Sequence, residues 1–184
     1  TPGTPRMFAL ALGHREVIQL LLEAGADVNV KGEIHFGSFS GVRWTATTPL
    51  EIAVCAYDSD MVQLLMEASA DVTSDGIDIA ACLGHTRMTQ LLLGAGATVD
   101  GTSLMLAAEN GHVEIVKMLL RHGANPNVVR REGTALCAAI HHEGAALLCP
   151  HLEVLSALLD ARADPNKRGT SEVTEPPIFH LVPT

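Results

Sequence analysis

One pattern of apolar and polar positions recurs along the chain: two apolar residues, one polar, then three apolar. Val17, Ile18, Gln19, Leu20, Leu21 and Leu22 show it in full, and so do Ile115, Val116, Lys117, Met118, Leu119 and Leu120. At 3.6 residues per turn this spacing gives a helix buried over a wide face. A shorter segment lies ahead of each and carries small or aliphatic residues in pairs: Ala9/Leu10, Ala53/Val54, Ala80/Ala81, Ala107/Ala108 and Ala139/Ile140. Such pairs suit the close-contact side of a short helix, so each unit is predicted to be a helix, a turn and a second helix. The repetition extends to the letters. "GHVEIVKMLLRHGANPN" at 111–127 and "GHREVIQLLLEAGADVN" at 13–29 are identical at eight of 17 positions.

Fixed-period self-similarity is the signature of a repeat architecture. Units begin at Thr4, Thr48, Asp75, Thr102, Thr134 and Pro176, dividing the chain into 4–47, 48–74, 75–101, 102–133, 134–175 and a partial 176–184. Thr4-Pro5 and Thr48-Pro49 supply an N-cap hydroxyl and a proline pre-set for the first turn, and Asp75 is expected to cap in the same way. Gly25, Gly96 and Gly123 fall where the second helix should stop in the left-handed conformation. Ser69 and Arg162 take that slot at a strain cost.

The order Thr-Pro, Gly-His, Gly-Ala-Asp-Val-Asn resembles the ankyrin repeat, most fully in units one and four, and it covers nearly the whole chain. The resemblance implies one all-α domain over 1–184, a curved solenoid whose first helices and β-hairpin fingers line a concave groove. It also implies that His14, His85 and His112 hydrogen-bond neighbouring backbone, and that Asn29, Asn127 and Asn166 hold the hairpin asparagine position.

Departures from the family pattern carry their own expectations. Units start 44, 27, 27, 32 and 42 residues apart. The two short spacings leave no room for a finger between Ser69 and Asp75 or between Gly96 and Thr102, so those fingers should be missing. The long first spacing holds an enlarged finger with Phe36, Phe39 and Trp44, three of the chain's six aromatics. Unit five carries an insertion, "HHEGAALLCPHLE". Arg6 is expected to polarise the open end of the stack, and "PPIFHLVPT" to begin a sixth unit, as in a segment of a longer repeat protein.

Composition then narrows the chemistry. A formal charge of -9 with no basic run disfavours nucleic acid. No apolar stretch approaches the roughly 20 residues of a membrane span, which argues against a membrane partner. Cys55, Cys82, Cys137 and Cys149 form no Cys-x-x-Cys, which points to a reducing compartment, the cytoplasm with the nucleus as alternative. No phosphate loop, nucleophile elbow or His-Glu-x-x-His motif appears, so no catalysis and no cofactor are expected.

Binding is the expected role, by a monomer. By the resemblance, the seventh and eighth positions after each unit start face the groove: Ala11/Leu12, Cys55/Ala56, Cys82/Leu83, Glu109/Asn110 and His141/His142. The row runs from apolar to polar, which suits a protein or peptide with one apolar and one charged end. The aromatic finger offers a second contact. An alternative role is a structural arm of a larger kinase, ubiquitin ligase or channel. A weaker reading places zinc at Cys137, His141, Cys149 and His151, although their spacing matches no standard site.

Overall fold

The computed structural model describes residues 14–32, 34–35, 45–46, 48–130, 133–140 and 149–167. Nine helices occur among these residues: α1 (Arg15–Glu23), α2 (Pro49–Cys55), α3 (Ser59–Glu67), α4 (Ser74–Leu83), α5 (Thr86–Gly94), α6 (Gly101–Glu109), α7 (Val113–Arg121), α8 (Ala135–Ile140) and α9 (Cys149–Asp160). The first helices α2, α4, α6 and α8 pack side by side in chain order. The second helices α3, α5, α7 and α9 form a parallel row behind them, each against its own unit's first helix.

The alanine pairs make the close row, and the leucines make the core behind it. Ala53, Ala80, Ala107 and Ala139 are all at most 2% exposed, so adjacent first helices meet with little side chain between them. Leu65, Leu92, Leu119 and Leu158, at one register position of successive second helices, are each 0% exposed. Four buried leucines in a line form a continuous core that no single unit could close alone.

Caps follow the sequence in some units and depart from it in others. Thr48 and Glu51 form a capping box, each side chain accepting from the other's backbone N–H at 3.3 Å, with Pro49 in the first turn. Thr134 likewise accepts from Cys137 N at 3.3 Å. Asp75 and Thr102, however, sit inside their helices. Thr73 is the N-cap of α4, and Asp100 is the N-cap of α6, accepting from Thr102 N at 2.7 Å. The reason lies in the short spacing. Counting from the left-handed slot, Thr73 and Asp100 stand where Asn29 and Asn127 stand in other units. Without a finger, the chain turns directly from that position into the next helix, and the residue there becomes the cap.

The left-handed slot is occupied as expected in every unit: Gly25, Ser69, Gly96, Gly123 and Arg162 have φ of 79, 66, 84, 88 and 63°. Each closes the same two bonds, as in Ser69 N to Met66 O at 2.9 Å and Ala70 N to Leu65 O at 2.9 Å. Side chains beyond Cβ-less glycine strain this conformation. Ser69→Gly and Arg162→Gly should therefore each stabilise the fold by about 0.5–1 kcal/mol in urea unfolding, after the extra entropy of an unfolded glycine is subtracted.

Fingers are reduced as the spacing requires. Neither Ala70–Thr73 nor Ala97–Asp100 contains a strand. The base of the enlarged finger is a two-residue ladder, β1 (Ile34–His35) antiparallel to β2 (Thr45–Ala46), with Ile34 opposite Ala46 and His35 opposite Thr45. Before α8, Arg130 and Gly133 exchange backbone bonds at 2.8 and 3.1 Å. Phe36, Phe39 and Trp44, with Arg6, Leu12, His141, His142 and the 176–184 unit, lie outside the described residues.

Candidate partner-binding face

The C-terminal ends of the first helices carry the described groove positions. Ala56 is exposed, while Cys55, Leu83, Glu109 and Asn110 are half-buried. Cys82 is only 5% exposed and offers a partner little surface, which corrects its expected place as a wall residue. Asn110 turns its amide back onto its own helix, donating to Leu106 O at 2.8 Å. The accessible part of the row is therefore Cys55, Ala56, Leu83 and Glu109, with Tyr57 beside it. Tyr57 is 57% exposed at φ 57°, a non-glycine residue in left-handed backbone. The sequence patterns did not single it out, because it stands where other units have the glycine of Gly-His.

A histidine in each following unit fixes these helix ends. His85 donates from Nδ1 to Val54 O at 3.1 Å, and His112 donates from Nε2 to Cys82 O at 3.2 Å. His151 does the same from Nε2 to Glu109 O at 3.1 Å. Each imidazole thus binds a carbonyl at the C-terminal end of a first helix, and at Val54 it joins the Tyr57 N–H, which donates to the same oxygen at 3.1 Å. Burial pushes His85 and His112 below the ordinary imidazole value, with the backbone bond opposing it, so both stay neutral at pH 7. His14, at the N-cap of α1, is exposed.

The glycine before each histidine leaves room for the next unit's ring. A Cβ at Gly84 would fall 2.6 Å from His112 Cε1, and one at Gly111 would fall 3.1 Å from His151 Cε1. Where Tyr57 replaces the glycine, its ring lies 4.5 Å from that of His85, tilted by 58°. There His85 uses Nδ1 where the other two histidines use Nε2. A bulkier neighbour and a turned imidazole thus occur together.

His151 was missed as a member of this series because the unit-five insertion displaces it from its Gly-His context. It takes the structural position, whereas the zinc reading required it as a ligand. Cys137, 0% exposed, receives the Thr134 hydroxyl at 3.4 Å. Among the described residues no group of three or more His, Cys, Asp or Glu is placed to hold a metal ion. Burial, assisted by Glu51, pushes the Cys55 thiol up to about 11, which keeps it protonated and a poor nucleophile. Cys55, Cys82 and Cys137 are free thiols. An open cleft of about 590 Å³ lies elsewhere, between the second helices α7 and α9, where Lys117 and Arg121 face Glu153 and Asp160.

Units of two antiparallel helices, closed by a left-handed turn and joined by Gly-His contacts, define a helical repeat solenoid. Residues 77–169 match the family model for ankyrin repeats in three copies, and residues 4–33 match that for a single ankyrin repeat. The longer match covers just over half of the 184 residues, and the chain belongs to the ankyrin repeat family. Unit two, where Tyr57-Asp58 replaces Gly-His, falls between the two matches. No curated protein matches the chain. Ankyrin repeats are generally protein–protein interaction modules, typically without catalysis. No helix among the described residues is long and apolar enough to cross a membrane.

Proposed function

We propose that this chain is a non-enzymatic scaffold that binds a protein or peptide partner through the row Cys55, Ala56, Leu83 and Glu109, with Tyr57 at its edge. One observation carries the reading: equivalent, partly exposed positions on three successive first helices are held at fixed spacing by the histidine contacts between units. A pre-ordered face of this kind loses little conformational entropy on binding, so a few anchors are enough for affinity. The apolar side chains at one end and Glu109 at the other favour a segment with an apolar and a basic end. Phe36, Phe39 and Trp44 of the enlarged finger supply further anchors, and Leu12, His141 and His142 extend the row. The chain acts as a monomer in the cytoplasm or nucleus, without a cofactor.

The test is capture from native lysate by the wild-type chain, by Leu83→Glu and by Phe36→Ala/Phe39→Ala/Trp44→Ala, each with unchanged helical content. Burying a glutamate against an apolar anchor is expected to weaken a groove partner at least tenfold. A partner retained equally by both variants would overturn the proposal.

A further inference from the structure

Asp78 is a buried acid that the binding face does not use. It sits on α4 with 7% exposure, and its Oδ1 accepts no hydrogen bond from any described residue. Its equivalents in neighbouring units are settled. Glu51 closes a capping box and receives the Thr73 hydroxyl at 3.4 Å, while Met105 and Cys137 bear no carboxyl.

The surroundings of Asp78 disfavour its anion. Asp75 on the same helix and Asp100 at the start of α6 are like charges. Arg130 is the cation that reaches it, but that guanidinium is engaged by Asp100 at 2.6 Å. Glu51 on α2, Arg87 on α5 and Glu109 at the far end of α6 are the further charged groups on the helices packed against α4. His85 and His112 belong to the opposite end of α4. Burial first, and Asp100 second, push the carboxyl up to about 7.

Ser103 connects this acid to the joint between units. Its hydroxyl lies near the Asp78 carboxyl and favours the anion, but its hydrogen goes to Asp100 O at 3.2 Å, within the N-cap of α6. A hydroxyl has one proton to give. We propose that Asp78 is a proton-binding site built into the joint between units three and four. Protonated, it brings no charge into the contact between α4 and α6, and the joint is closed. Ionised, its buried charge has no donor at Oδ1 and stands against Asp100 at the start of α6, and α6 is held less firmly against α4.

The sign follows from linkage. A carboxyl whose folded value is raised binds its proton more tightly in the closed state, so its contribution is complete below the unfolded value and is lost as pH rises through about 7. The test is native-state hydrogen exchange of the full chain at pH 6 and pH 8, read as protection factors of α6 amides relative to those of α2. Wild type is expected to lose about tenfold relative protection across that window, and Asp78→Asn, a neutral mimic of the protonated acid, to lose none. Histidine titration is common to both proteins and cancels. Carboxyl-carbon NMR of wild type reads the midpoint directly, and Asp100→Asn, which keeps the capping oxygen, should lower it. A midpoint in the ordinary carboxylate range, or equal loss of protection in wild type and Asp78→Asn, would overturn the proposal.

Discussion

Gly84→Val is expected to destabilise the fold by about 3 kcal/mol or more, from two separable contributions. The backbone there has φ 76°, where a side chain costs about 1–2 kcal/mol. The added Cβ also lands on the His112 ring, 2.6 Å from Cε1. Moving that ring strains the packed joint and breaks its bond to Cys82 O, at a further cost of about 1–3 kcal/mol. Gly96 isolates the first contribution. Its φ is 84° but nothing lies within 4 Å of a Cβ built on it, so Gly96→Ala should cost only about 1–2 kcal/mol. Urea unfolding followed by circular dichroism measures both. Equal losses would mean that the His112 contact does not join the units.

Leu92→Ala is the second large effect, about 3 kcal/mol. Leu92 is 0% exposed, and a buried leucine truncated to alanine loses its transfer free energy and leaves a cavity. Position in the stack decides the size. Leu21 holds the same register in α1 but is half-buried, and Val17 and Leu20 beside it are 45 and 65% exposed. Leu21→Ala should cost about 1 kcal/mol, since much of that side chain already meets water. Stability in a solenoid is a sum over units and their neighbours, so Leu92→Ala should also uncouple the two sides of unit three. Broadening of the urea transition, with a lower m-value, reads that uncoupling. A single sharp transition with an unchanged midpoint would contradict it.

The sequence carried the parts of the fold that depend on local pattern. Apolar spacing located the helices, and the five left-handed slots, including the unfavourable Ser69 and Arg162, stand where the motif put them. Missing fingers were legible as arithmetic, since six residues cannot hold both a turn and two strands. The caps Thr73 and Asp100 were not, because deleting a finger changes the task of the residue before it. Asn29 and Asn127 show the other task. Asn29 Oδ1 accepts from Asp71 N at 2.9 Å, and Asn127 Oδ1 accepts from Asp164 N at 2.7 Å, each joining its unit to the next. Pattern alone could not distinguish a joining residue from a capping one.

The candidate face was legible in outline and not in detail. Family register picked out Cys55, Ala56, Leu83, Glu109 and Asn110, but not that Cys82 turns inward or that the Asn110 amide is spent on Leu106. His151 escaped because an insertion separated it from its motif, and Tyr57 because a tyrosine in a glycine position looks like a simple mismatch. Asp78 could not be recognised at all from sequence. An acid on a helix is ordinary until its neighbours are known to be two further acids and an arginine already engaged.

The proposed function requires that a partner docks on the first-helix row. The most direct measurement places a photo-crosslinking side chain at Leu83 or, as control, at Lys117 beside the cleft on the second helices, followed by irradiation in native lysate. Adducts of one discrete mass from Leu83, with none from Lys117, are the predicted result. Adducts from Lys117 alone, or the same adducts from both positions, would contradict binding through this face.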